Sequence, residues 1–297
     1  MTAGPGSAAL LLSFLALLAG SVSARQPQAL PELADVLQKV GARVEQYFAR
    51  AQSIVCIEIV GLIPVDTGGR GRSRTVESEL RLSWEPTAEN PTPIEARTLR
   101  QVIKVNGHAP RKNDHENCTA PEQNPSEVQP LSLLLPQQRH EYSFKLAGAA
   151  RLDDRAAILL EYRMVAKPTV TVELVDGKED CLSYSIDGGM RGRIWIDAET
   201  FDVLRMDQGL IGLVDIPLPR KVANRNAWPS WTMERWDTSI RFKPVTFQEP
   251  AETLVLPASS TSYRVTRGSG TPQLRTTTQY SSYRRFITGA RVLPPQQ

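Results

Sequence analysis

Three histidines, His108, His115 and His140, are the only imidazoles in this 297-residue chain. Acid–base or metal chemistry needs such groups gathered with carboxylates or thiolates at set spacings. Asp114-His115-Glu116-Asn117-Cys118 crowds several donors into one stretch. They are adjacent, without the separation that zinc sites show, so the stretch reads as a solvated loop. Gly68-Gly69-Arg70-Gly71-Arg72-Ser73-Arg74 is Gly-rich and basic. It lacks the Lys-Ser/Thr ending of a phosphate-binding loop, and no helical pattern follows; it reads as a hairpin tip. Arg267-Gly268-Ser269-Gly270-Thr271 is not a nucleophile elbow and reads as a turn between strands. The acidic pairs Asp153-Asp154 and Glu179-Asp180 stand beside turn signals and fit surface turns better than paired catalytic carboxylates. No catalytic, metal or cofactor-binding residue is assigned, and the chain is expected not to be an enzyme. A hydrolase built from distant residues, such as a Ser or Cys against His140, is the least favoured alternative.

The five tryptophans carry more weight. Trp84, Trp195, Trp228, Trp231 and Trp236 are expected either to pack the core or to line an apolar cavity or its mouth. Trp195 must face opposite to Ile194 and Ile196, because side chains alternate along a strand. Trp228-Pro229-Ser230-Trp231 reads as an irregular stretch suited to capping a cavity. The cysteines are Cys56, Cys118 and Cys181. Cys56 lies in the apolar run Ser53–Val60 and reads as a buried small hydrophobe. Cys118 and Cys181 lie in polar segments near strand ends and are the preferred pair for a disulfide. Three cysteines allow three pairings, and sequence alone does not choose. A bridge between Cys118 and Cys181 would close a loop of about 60 residues and stabilise by roughly 4 kcal/mol in the chain-entropy model.

Compartment and class follow from composition. Ala8–Gly20 is an apolar run of signal-peptide length, and Val22-Ser23-Ala24 puts small residues at the −3 and −1 positions of a cut after Ala24. Export to a periplasm or beyond is expected, and it makes a disulfide permissible. No other stretch approaches a membrane-spanning length, so a soluble mature chain is expected. The net charge is +3, with 27 Arg and 8 Lys scattered along the chain. Nucleic acid is not called for.

The elements that must position any site are mostly strands. Pro31–Gln52 reads as the one long helix, with Leu33, Val36, Leu37, Val40, Val44, Tyr47, Phe48 and Ala51 at helical spacing. Strand-like runs follow at Ile54–Val65, Thr75–Trp84, Leu99–Val105, Tyr142–Leu146, Ala156–Val165, Val170–Val175 and Ser183–Ile186. Leu131–Leu135 reads as a short helix within a long polar loop. Further strands are Arg191–Asp197, Phe201–Asp207, Trp231–Phe247, Glu252–Pro257, Ser262–Thr266 and Leu274–Arg285. Asn106-Gly107 is a hairpin signal. Asp197-Ala198-Glu199-Thr200 makes a turn whose next position favours φ > 0, yet that position is Phe201. The predicted fold is mainly β (α+β). It is one strongly curved antiparallel sheet or incomplete barrel of about eleven strands, with the amphipathic helix over its concave face. No linker divides residues 25–297.

Four stretches occur in order. They are Val102-Ile103-Lys104-Val105-Asn106-Gly107; Gly192–Thr200 with Val203-Leu204-Arg205; Val245-Thr246-Phe247 with Leu254-Val255-Leu256-Pro257; and Tyr280-Ser281-Ser282-Tyr283-Arg284-Arg285-Phe286. After a leader and an amphipathic helix, the set resembles the LolA/LolB-like superfamily of periplasmic lipoprotein carriers, which also includes periplasmic sigma-factor regulators. The resemblance spans roughly residues 30–290, and the carrier's own functional residues do not map onto it. It implies a half-barrel closed by helices, and a lipid, acyl chain or lipidated protein as ligand. The expected function is therefore a periplasmic non-enzymatic binding protein sheltering a lipid. The alternative is an interaction or sensor module with an envelope protein as partner. Phe201 departs from the pattern, in which relatives tend to show Gly.

Overall fold

The computed structural model describes Met1 and residues 31–50, 54–65, 72–83, 97–111, 114, 131–174, 182–223, 229–248 and 251–285. The chain divides into two compact units, Met1–Leu30 and Pro31–Gln297, and every element below belongs to the second. The predicted helix is α1 (Leu33–Arg50), which buries Val36, Val40, Val44, Tyr47 and Phe48. Those positions fall on one stripe of a 3.6-residue repeat.

The described strands are β1 (Ile54–Val65), β2 (Arg74–Ser83), β3 (Arg97–Val105), β4 (Tyr142–Leu152), β5 (Arg155–Met164), β6 (Thr169–Leu174), β7 (Leu182–Asp187), β8 (Met190–Asp197), β9 (Val203–Leu210), β10 (Val214–Pro217), β11 (Ser230–Gln248), β12 (Ala251–Arg267) and β13 (Gln273–Arg285). Eleven form one sheet in the order β3-β2-β1-β13-β12-β11-β9-β8-β5-β4, with β10 on β11. All the pairings are antiparallel. The sheet is open, with β3 and β4 at its edges, and is mainly β with one N-terminal helix, as predicted.

Register sorts the two faces. Leu146, Leu160, Ile194, Met206 and Ile240 stand opposite one another across β4, β5, β8, β9 and β11. They form the apolar row of the inner face, which α1 covers. One residue along, Lys145, Glu161, Arg193, Asp207 and Ser239 make the matching row of the outer face. A one-residue slip would exchange these rows, so burial of one face holds the register.

Several boundaries differ from expectation. Glu252–Pro257 and Ser262–Thr266 are one strand, β12. Its register with β11 shifts between Arg241 and Phe242, which face Ser259 and Pro257. Proline has no N–H for the ladder, and a bulge accommodates it there. Asn106-Gly107 does turn, with φ 49° and 82°, and among the described residues the isolated bridge Val105–His108 follows it. Asn106 instead ties back to β2, where its Oδ1 accepts from the Thr75 N–H at 2.8 Å. The β6–β7 hairpin stands apart from the large sheet. Its Val170, Val172, Tyr184 and Ile186 pack on Leu210, Val214, Ile216 and Met233, a second apolar cluster.

Candidate functional site

The inner face of the sheet is the place where this fold could shelter a ligand. The Leu131–Leu135 segment contains a 3-10 turn, Ser132–Leu134, where a short helix was expected. It joins α1 and residues from eight strands in the main core. Two devices hold α1 there. The first is Gly41, in the helix interior. A Cβ at Gly41 would lie 3.0 Å from the Leu134 carbonyl oxygen and collide with the Arg139 guanidinium. That bare spot lets Arg139 donate to the carbonyls of Leu134, at 3.0 Å, and of Leu37 on the helix. Burial lowers the pKa of this guanidinium, and the Glu45 carboxylate opposes the shift.

The second device is the β8–β9 turn. Asp197 is 4% exposed, and its Oδ1 accepts from the N–H groups of Glu199 and Thr200 at 3.0 and 2.9 Å. Burial alone would raise its pKa. Those two bonds and Arg155, 2.7 Å away, outweigh that and hold it below the usual carboxylate value. The turn delivers Phe201 at φ 60°, a left-handed conformation that is costly for an aromatic residue. The Lys39 ammonium sits 4.8 Å from the centre of its ring. One helical turn on, Arg43 makes two bonds, of 3.2 and 3.3 Å, to the carboxylate of Asp202. Successive turn residues thus grip Lys39 and Arg43, an i, i+4 pair on one helix face.

Beside this latch is a cleft of about 210 Å³, lined by Val44, Tyr47, Leu131, Val203, Leu254 and Val255, with Arg43, Arg50 and Asp202 at its rim. Ligand pockets run from about 300 Å³ upward. The cleft is therefore too small for an acyl chain of useful length while α1 stays in place.

The tryptophans divide. Trp231 and Trp236 pack together with the β6–β7 hairpin on the second cluster. Trp195 is half-buried on the outer face, under the Arg205 guanidinium at 4.9 Å, while Ile194 and Ile196 are fully buried on the inner face. Trp84, Trp228, Cys118 and Cys181 lie outside the described residues, as does His115.

Among the described residues the inner face also buries polar groups, including the hydroxyls of Thr238, Ser260, Ser262 and Thr278. Glu58 and Arg100 form a bidentate pair at 2.7 and 3.1 Å, with side chains 2% and 7% exposed. This pair was not anticipated, although Glu58 shares the alternation of Ile54, Cys56 and Val60 in the same apolar run. Cys56 is buried, and burial followed by the neighbouring Glu58 charge pushes its thiol pKa up to about 12. Such a thiol is no nucleophile at neutral pH. His140 is exposed, and His108 bonds the Ala109 carbonyl at 2.8 Å. Among the described residues, no three His, Cys, Asp or Glu side chains gather to hold a metal ion. No described helix is long and apolar enough to cross a membrane.

No protein-family model matches the chain, and no curated protein matches it in sequence. Solved structures align over most of its length. An outer-membrane lipoprotein-sorting protein domain from Vibrio parahaemolyticus is 11% identical over 87% of this chain and 93% of its own, with a TM-score of 0.40. A DUF1329 family protein from Desulfovibrio piger is 11% identical over 87% and 95%, at 0.38. A LolA superfamily protein from Nitrosomonas europaea is 9% identical over 87% and 94%, at 0.33. At these values the likenesses carry no argument about ligand or activity.

Proposed function

We propose that the protein is a non-enzymatic binding protein of the bacterial envelope, sheltering a lipid or acyl chain between α1 and the inner face of its sheet. The observation that carries this reading is how α1 is held. Its apolar stripe covers the inner face, yet its ties to the sheet rim are exposed. Arg43 is 42% exposed in its pair with Asp202, and Arg50 is 54% exposed in its pair with Glu252. Exposed pairs of this kind contribute at most about 1 kcal/mol each. An acyl chain entering under the helix replaces the helix's own apolar contacts. It gains roughly 0.8 kcal/mol for each methylene buried, so a handful of methylenes outweighs both rim ties, and a few more offset the Arg139 bonds to Leu134 and Leu37. The compartment rests on the Ala8–Ala24 leader pattern, and the proposed mature chain starts after Ala24.

The test is native mass spectrometry of the protein purified from a periplasmic fraction, followed by organic extraction. The expected result is a lipid or acyl species bound near one to one. It should exchange faster in Arg43→Ala, which unlatches the helix. An apo mass unchanged by added lipid, in both proteins, would overturn the lipid reading and direct attention to an envelope protein partner.

A further inference from the structure

The outer face holds a groove of about 940 Å³ that the lipid reading does not use. It runs across β4, β5, β8, β9, β11 and β12. Its walls are outward-facing side chains from two adjacent cross-strand rows. One row is Lys145, Glu161, Arg193, Asp207, Ser239 and Thr261. The other is Ser143, Arg163, Arg191, Gly209, Asp237 and Tyr263.

The charges in this groove are not balanced. Each carboxylate already has an arginine. Glu161 pairs with Arg193 at 3.0 Å, Asp207 with Arg205 at 2.8 Å, and Asp237 with Arg235. Lys145, Arg163 and Arg191 have no anionic partner among the described residues. Arg163 and Arg191 moreover stand directly opposite each other on neighbouring strands, and like charges so placed repel. Next to Arg191 in the same row comes Gly209, where a Cβ would approach the Asp237 Oδ1 to 2.7 Å. The Asp237 carboxylate thus folds over Gly209 and bounds the site on the side away from Arg163.

We propose that this groove binds a soluble ligand bearing an oxyanion, phosphate or carboxylate, held between the Arg163 and Arg191 forks with Lys145 alongside. Two facing guanidiniums present paired N–H donors that suit such an anion and gain from its charge. The uncharged body of the ligand extends toward Ser239, Thr261 and Tyr263, past the Asp237 carboxylate that covers Gly209. The volume is that of a small-molecule pocket. A groove of this volume favours a molecule that enters it over a membrane surface lying across its rim.

Inorganic phosphate is the first probe, titrated against chloride at matched ionic strength and followed by calorimetry and thermal melting. Saturable binding to the native protein is expected. It should weaken about tenfold or more in Arg163→Gln/Arg191→Gln, since charge-assisted bonds are lost. Arg163→Lys/Arg191→Lys should retain part of it, and Lys243→Gln should leave it unchanged. Circular dichroism checks that each variant is folded; both arginines are exposed, so folding should persist. Equal responses in all the proteins, or a response that follows ionic strength alone, would overturn the proposal. So would Arg163- and Arg191-dependent binding to phosphatidylglycerol vesicles without any response to free phosphate, which would make the face a membrane-docking patch.

Discussion

Gly41 and Arg139 occupy the same space: the guanidinium lies where a side chain on the glycine would begin. In an exposed helix, Gly→Ala gains up to about 1 kcal/mol. Here the gain is offset, because Arg139 must leave the carbonyls of Leu134 and Leu37. Two buried acceptors losing a charged donor cost roughly 1–3 kcal/mol. Gly41→Ala should therefore destabilise in urea titration. Repeated in an Arg139→Ala background, the same change should cost less. Equal effects in both backgrounds would show that the contact does not hold the helix.

Phe201 makes a second prediction with an unusual order. Alanine at this position keeps the left-handed strain and loses the ring over which Lys39 sits. Glycine loses the ring but relieves strain of roughly 1 kcal/mol or more. Phe201→Gly should thus be more stable than Phe201→Ala by about 1 kcal/mol, and both should fall below the native protein. Hydrogen exchange should locate the loss in α1. A normal ranking, with alanine above glycine, would contradict the strain.

These two cases show what the chain discloses by itself. Phe201 was legible as an oddity because the Asp197–Thr200 turn chemistry is local. The helix, the strand runs and the opposition of Trp195 to Ile194 and Ile196 were legible because they rest on periodicity, whereas which of those two faces turns inward was not. Gly41 was not, since its role depends on Arg139 arriving from 98 positions away. The separation of β6–β7 was hidden too, because Val170 and Ile186 alternate like strands of any sheet. Only their packing on Leu210, Val214, Ile216 and Met233 decides where they go. The unbalanced groove was equally invisible. Arg163 and Arg191 face each other only through the β5–β8 register.

The Glu58–Arg100 pair should be far more costly to break than to dilute. Arg100→Met leaves a carboxylate that is 1% exposed without its counter-ion. Removing one partner of a buried pair typically costs about 3–5 kcal/mol. Glu58→Gln retains an acceptor for Arg100 and should cost less. Adding Glu58→Gln to Arg100→Met should recover part of the loss, which urea unfolding of the three variants would reveal. A cost for Arg100→Met well below about 3 kcal/mol would mean that water reaches the pair.

Alkaline pH should unfold the protein through its buried acids. The Cys56 thiol is raised from 9.0 to about 12, chiefly by burial and then by Glu58. Burial is also the main cause that raises Tyr47, Tyr162 and Tyr283 above their ordinary value of 10.0. Each group holds its proton more tightly when folded, so above pH 9 the unfolded state binds fewer protons. Stability is then present in full below pH 9 and is lost as pH rises through about 12. In a Cys118→Ser/Cys181→Ser background, Cys56 should react with a thiol reagent only as fast as the protein opens. Its labelling should accelerate together with the loss of circular dichroism. Labelling that instead rises ahead of unfolding, following an ordinary thiol titration, would show that Cys56 is open to solvent in the folded protein.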